Sequence, residues 1–163
     1  MRLAVALLAL IIGAAPMPAA QPSEPLDLIA PVDGPIVRHF EPPPTPFSAG
    51  HRGIDFRTPS GEPVVASAGG TVAFAGPVGG TYAVSIDHID GHRTTYSYLS
   101  GVAVRAGTVV TQGALIGSSG AGHAGGEPVL HFGLRRAGEY LDPEPVLLAS
   151  IRAHLYRVIA LTW

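Results

Sequence analysis

From residue 63 onward, apolar and polar positions alternate in short blocks set off by glycine pairs, a rhythm that predicts β-strands. Tyr82-Ala83-Val84-Ser85-Ile86-Asp87 alternates with a period of two, as a half-buried strand does. Ile89-Asp90-Gly91 follows as a hairpin turn whose Asp-Gly pair is a strong turn signal, and His92–Leu99 pairs back along it. Val64–Ala66, Thr71–Ala75, Val102–Val104, Val109-Val110 and Leu115-Ile116 read as further strands, and Ile36–Phe40 and Ile54–Phe56 as earlier ones. The pattern predicts an all-β fold: a small antiparallel, sandwich-like sheet core with Gly-rich loops. Alternation along a strand puts His92, Thr94, Tyr96 and Tyr98 on one face, and Glu127, Val129 and His131 on one face of a later strand.

Three stretches interrupt the rhythm. Glu41–Pro46 is too rich in proline to join a sheet and reads as an extended surface loop, either a groove wall or a stiff connector. Gly117–Gly126 reads as a Gly-rich loop beside a groove; no P-loop lysine follows it, which argues against phosphate cradling. Residues 1–20 read as a signal peptide: Arg2, then an apolar core of about thirteen residues from Leu3 to Ala15, where a membrane span needs roughly 20. Pro18 spoils a clean small-residue cleavage site, so an uncleaved N-terminal anchor is the alternative. Either way the domain is expected outside the cytoplasmic membrane, secreted or in the envelope. Residues 21–30 form a lead-in segment. Residues 146–163 form a C-terminal extension, with Val146–Leu155 compatible with a short helix and Tyr156–Trp163 with a strand or an apolar tail.

Composition narrows the function classes. A chain of 163 residues is the size of one domain. Gly 21 and Pro 16 favour many turns over a helical bundle. The net charge of −2 lacks the basic excess of a nucleic-acid binder. The cysteine count of 0 rules out a disulfide scaffold, a thiol nucleophile and lipoprotein anchoring.

The chemistry concentrates in His51-Arg52-Gly53-Ile54-Asp55-Phe56 and Leu130-His131-Phe132. Two imidazoles and a carboxylate make a three-ligand set for a divalent metal, zinc above all, and three protein ligands leave a fourth position open, as catalytic zinc sites do. The alternative is a His and an Asp four residues apart that simply hydrogen-bond each other.

In order, "GHRGIDF", "GEPVVASAGGTVAFAG", "YAVSIDHIDGHRTTYSYLS", "VVTQGALIGSSG" and "LHFGLR" resemble the lysostaphin/LytM-type zinc endopeptidases, which cleave peptide cross-links in bacterial peptidoglycan. The resemblance spans roughly residues 31–145, which it marks as the peptidase domain. It implies Zn2+ held by His51, Asp55 and His131, and peptidoglycan stem or cross-link peptides as the substrate of a monomer. It also carries two departures: Tyr98 and Val129 stand where the family has its two non-ligand catalytic histidines. Tyr98, Glu127 and His123 are the substitutes nearest to hand, Tyr98 as a hydrogen-bond donor and the other two as proton carriers. The resemblance is thus compatible with an endopeptidase, and equally with a metal-binding but weak or inactive relative that binds peptidoglycan or regulates another cell-wall hydrolase.

Overall fold

In the computed structural model the described residues are 26–45, 47–122 and 126–151. Among these residues, ten strands form one antiparallel sheet: β1 Ile36–Arg38, β2 Ile54–Arg57, β3 Pro63–Val65, β4 Gly70–Val78, β5 Thr81–Asp87, β6 His92–Val102, β7 Val109–Val110, β8 Leu115–Ser119, β9 Val129–Arg136 and β10 Glu139–Leu141. The main path runs β1-β2-β9-β6-β5-β4-β7, with β10 against β9 and β8 bridging β3 and β6. The all-β antiparallel expectation is met. A helical segment occupies 144–151, so the short C-terminal helix begins two residues earlier than expected. Residues 1–25 and 152–163, which contain the expected leader and the expected terminal strand or tail, lie outside the described residues.

Local sequence explains the central hairpin. Gly91 has φ 82, a left-handed conformation that glycine adopts without a Cβ penalty. The turn closes through His88 N–H donating to His92 O at 2.9 Å. Two expectations change. Val102 is the end of β6 rather than the start of a new strand, and Gly117–Ser119 belong to β8 rather than to the Gly-rich loop. Ser119 explains the second change: its hydroxyl donates to Pro59 O at 2.6 Å and accepts from Glu62 N–H at 3.0 Å, which holds this polar stretch in the sheet.

One sheet face carries the core. Ile54, Phe56, Leu130, Phe132, Leu134, Tyr96, Val84 and Ile86 are buried there. Tyr96 is fully buried, and its hydroxyl accepts from Ser67 N–H at 2.8 Å and from Thr94 Oγ1 at 3.1 Å. The opposite face carries a different row. Asp55 pairs with His131 across β2 and β9, and His131 pairs with Ser97 across β9 and β6. Residues in register on neighbouring strands point the same way, so three adjacent strands deliver these side chains to one place.

Candidate metal centre

His51 precedes β2 and is fixed by its backbone. It forms a two-way bridge with Glu41, His51 N–H to Glu41 O at 2.9 Å and Glu41 N–H to His51 O at 3.0 Å. The Pro-rich stretch after Glu41 therefore starts from a clamp on the site. Gly53 lets the chain pass tightly between His51 and Asp55. A Cβ there would lie 2.3 Å from Phe132 O, so the close approach is to the backbone of β9.

His51, Asp55 and His131 converge into one cluster. His51 Nε2 lies 3.0 Å from Asp55 Oδ1 and 3.1 Å from His131 Nδ1, and His131 Nδ1 lies 2.7 Å from Asp55 Oδ1. His51 and Asp55 are buried and His131 is half-buried. His51 Nδ1 is 2.7 Å from the His39 carbonyl oxygen, which can only accept, so Nδ1 carries the proton. In the neutral ring Nε2 is then a bare lone pair aimed at a carboxylate and at a second imidazole nitrogen. A single proton between Asp55 and His131 leaves that lone pair facing negative charge, whereas a small cation at the centre satisfies all three donors. The edges of a zinc tetrahedron with bonds of 2.0–2.1 Å are about 3.3 Å, close to the separations found. The donor set of two nitrogens and one carboxylate, with the His51–carbonyl bond behind it, fits a divalent metal.

Electrostatics agree with the geometry. Burial pushes the Asp55 carboxyl up, but the hydrogen bond and charge of His131, followed by those of His51, outweigh it and hold the group below its ordinary value. Asp55 is therefore an anion, the form that binds a cation.

The other candidates are distributed unevenly. Tyr98 does not share a face with Tyr96, as strict alternation predicts. The β5–β6 register shifts between Tyr82 and Ala83, where Leu99 and Ser97 are the partners, and Tyr98 is the extra residue. Its φ of 65 is rare for a side chain of this size. This bulge turns its ring onto the site, 6.2 Å from that of His131 in an edge-on arrangement. Burial first, and the Asp55 charge second, raise the Tyr98 hydroxyl above the ordinary tyrosine value, against a pull from Arg38. Val129, on the strand face of His131, is buried and apolar. Glu127 stands apart from the cluster: its carboxylate is exposed and accepts from Arg57 Nη2 at 2.8 Å and Nε at 3.1 Å. His123 lies outside the described residues. His88 and His92 are structural. His88 bonds Gly69 O at 2.8 Å and Thr94 Oγ1 at 3.0 Å, and His92 bonds Asp90 at 2.6 Å. Arg57 as the partner of Glu127, and the His39 carbonyl as the partner of His51, had no signal in the sequence, because strand register creates the first contact and the main chain the second.

Comparison with known proteins gives a consistent picture. The profile described as Peptidase family M23 matches residues 49–143, which span all three cluster residues. An uncharacterized protein of Mycobacterium tuberculosis is 35% identical over 121 residues, covering 71% of this chain and 48% of its own. The DD-carboxypeptidase/endopeptidase Mpg of Neisseria gonorrhoeae is 39% identical over 101 residues, covering 61% of this chain and 23% of its own. The chain thus spans about half or less of the length of these relatives. Among solved structures, the antimicrobial peptidase lysostaphin from Staphylococcus simulans matches with TM-score 0.66 and 28% identity over 78% of this chain and 56% of that one. A crystal structure of the SpoIIIAH and SpoIIQ complex matches with TM-score 0.64 and 26% identity over 73% of this chain and 99% of that one.

Proposed function

The chain belongs to peptidase family M23, and from that premise we propose that it is a zinc-dependent endopeptidase-type domain acting on peptide cross-links of bacterial peptidoglycan, outside the cytoplasmic membrane. The observation that carries this reading is the convergence of His51, Asp55 and His131 on one point at the open face of the sheet. These three residues would hold the metal, through His51 Nε2, Asp55 Oδ1 and His131 Nδ1. Zinc bound there supplies Lewis acidity and lowers the pKa of water to about 7.

The chain's own residues must do the rest. Tyr98, whose hydroxyl stays protonated at neutral pH, donates a hydrogen bond to the carbonyl oxygen of the scissile amide as charge develops there. Asp55 stays ionised and holds both imidazoles in place. The leaving nitrogen needs a proton, which Val129 cannot give. Glu127, released from Arg57, and His123 are the two carriers open to test.

A second reading has its own support. The apolar Val129 beside His131, and the ion pair that occupies Glu127, favour a domain that binds metal and peptidoglycan but turns over weakly, or that regulates another hydrolase. The likeness to a protein solved in a complex points the same way.

Release of soluble peptide fragments from purified peptidoglycan by the zinc-loaded protein separates the two, with metal content and thermal melting followed alongside. The endopeptidase reading expects release that Asp55→Ala abolishes. Both readings expect zinc to raise the stability of the wild type, by about 2.7 kcal/mol at a hundredfold excess over Kd, and not that of Asp55→Ala. Zinc-loaded wild type that releases nothing leaves the second reading; wild type that binds no zinc overturns both.

A further inference from the structure

A pocket of about 330 Å³ opens beside the metal centre on the same sheet face, and its lining includes Arg52, Arg135, Tyr140, Ser97, Gly133 and His131. Among the described residues, no acidic one lines it. The Arg52 and Arg135 guanidiniums both lie over the Tyr140 ring, 5.7 and 5.6 Å from its centroid. Stacking on one aromatic holds two cations at a common address and limits their rotamers. Arg52 also donates to Ser48 O at 3.2 Å, which helps to hold it in place. Asp87, whose carboxylate feels the charge of Arg135, already takes both Nε and Nη2 of Arg93.

An independent observation concerns His131. Its hydrogen bonds all run from Nδ1, toward the metal centre. With Nδ1 as the metal donor, Nε2 carries a proton, and among the described residues that N–H has no partner. Metal-bound imidazoles nearly always donate this second N–H, as His51 does to the His39 carbonyl. His131 Nε2 faces the pocket floor: a Cβ built on Gly133, which lines the pocket, would lie 4.0 Å from it. A solvent-reachable N–H donor and two stacked guanidiniums thus border one small space.

We propose that this pocket is a carboxylate subsite, in which a carboxylate carried by the bound peptide close to its scissile bond is held by Arg135 and Arg52 and accepts the Nε2–H of His131. The proposal rests on the peptide-directed reading above and adds to it which peptides are preferred. The carboxylate has two possible sources, an acidic side chain or a free chain end, and both present the same planar pair of oxygens to the guanidiniums.

The test is calorimetric titration of the zinc-loaded protein with four peptides built on acetyl-Ala-Glu-Ala-Ala. They carry Glu or Gln at the internal position and a free acid or an amide at the C-terminus. The expected result is a preference of about tenfold for acid over amide at one of the two positions, shrinking as salt rises. Arg135→Gln removes a partly exposed side chain and should abolish that preference while leaving amide binding and zinc content unchanged. Gly133→Ala should do the same by a different route. Its methyl meets Arg52 O at 3.4 Å and Thr95 Cβ at 3.9 Å, so it fits the fold while filling the floor beside Nε2. Which position carries the preference identifies the source. Absence of preference in the wild type, whether both forms bind alike or neither binds, overturns the proposal, as does a preference that survives Arg135→Gln. Failure here is distinct from failure of the endopeptidase reading: a protein that cleaves without preference loses only the subsite, and one that prefers acids without cleaving loses only the turnover.

Discussion

Tyr98 shows how much a single residue decides at this site. Its hydroxyl is the donor proposed for the oxyanion, and only the bulge in β6 brings it there. Tyr98→Phe keeps the ring, its edge-on contact with His131 and the strained φ, and deletes one oxygen. If the hydroxyl steadies developing charge, peptide release falls by about 10²–10³ while melting temperature and zinc content hold. A rate that does not move would reduce Tyr98 to packing. The same residue marks a boundary of sequence reading. His51, Asp55 and His131 were legible because an ordered set of motifs carried them. Strict alternation places Tyr98 on the face of Tyr96, because it takes no account of an inserted residue. Glu127 reads from the sequence as a candidate proton carrier, but its tie to Arg57, 70 positions away, does not: it follows from the pairing of Arg57 with Val129 across β2 and β9.

Among the elements, hairpin β5–β6 was readable from its alternation and its Asp-Gly turn, because those contacts are local. The path of β6 was not readable, since it leaves β9 after Ser97 and joins β8 from Leu99, a choice made by distant partners. A comparable long-range junction links the helical segment to the candidate metal centre. Glu144, at the start of that segment, accepts from His39 Nδ1 at 2.5 Å, and the His39 carbonyl in turn holds His51. The hydrogen bond to Glu144 and then its charge raise the pKa of His39 above 6.5. A pKa raised in the folded state means that the protonated form favours folding. The contribution is complete below the unfolded value and is lost as pH rises through the folded one. His39→Gln should therefore melt below the wild type at about pH 5.5 and match it at about pH 9. Both groups meet solvent, so the gap is small and should shrink in salt. A gap that is constant with pH would show that the pair does not form as an ion pair.

At the scale of the molecule, the match to the family and the extent of the folded unit do not coincide. The match covers residues 49–143, and the motifs suggested limits of 31 and 145. Leu28 and Leu147 lie outside those limits, yet both belong to the hydrophobic core, Leu28 with 0% exposure. The two ends are also joined directly: Leu28 N–H donates to Ser150 Oγ at 2.9 Å, across 122 positions of sequence. Ile29 N–H donates to Ser67 O at 3.0 Å, and Gln112 Nε2 donates to Asp27 O at 3.0 Å, which lays the lead-in along the sheet. A segment that reads as a polar approach to the domain thus closes one side of its core. Leu28→Ala should cost about 2–5 kcal/mol, the loss expected when a fully buried leucine leaves a cavity that its neighbours cannot fill. Urea unfolding should show one transition moved to lower denaturant with an unchanged slope, because the core is lost as a unit. A loss below about 0.5 kcal/mol, the range of ordinary surface substitutions, would instead put residues 26–30 outside the folded unit and return its boundary to the motifs.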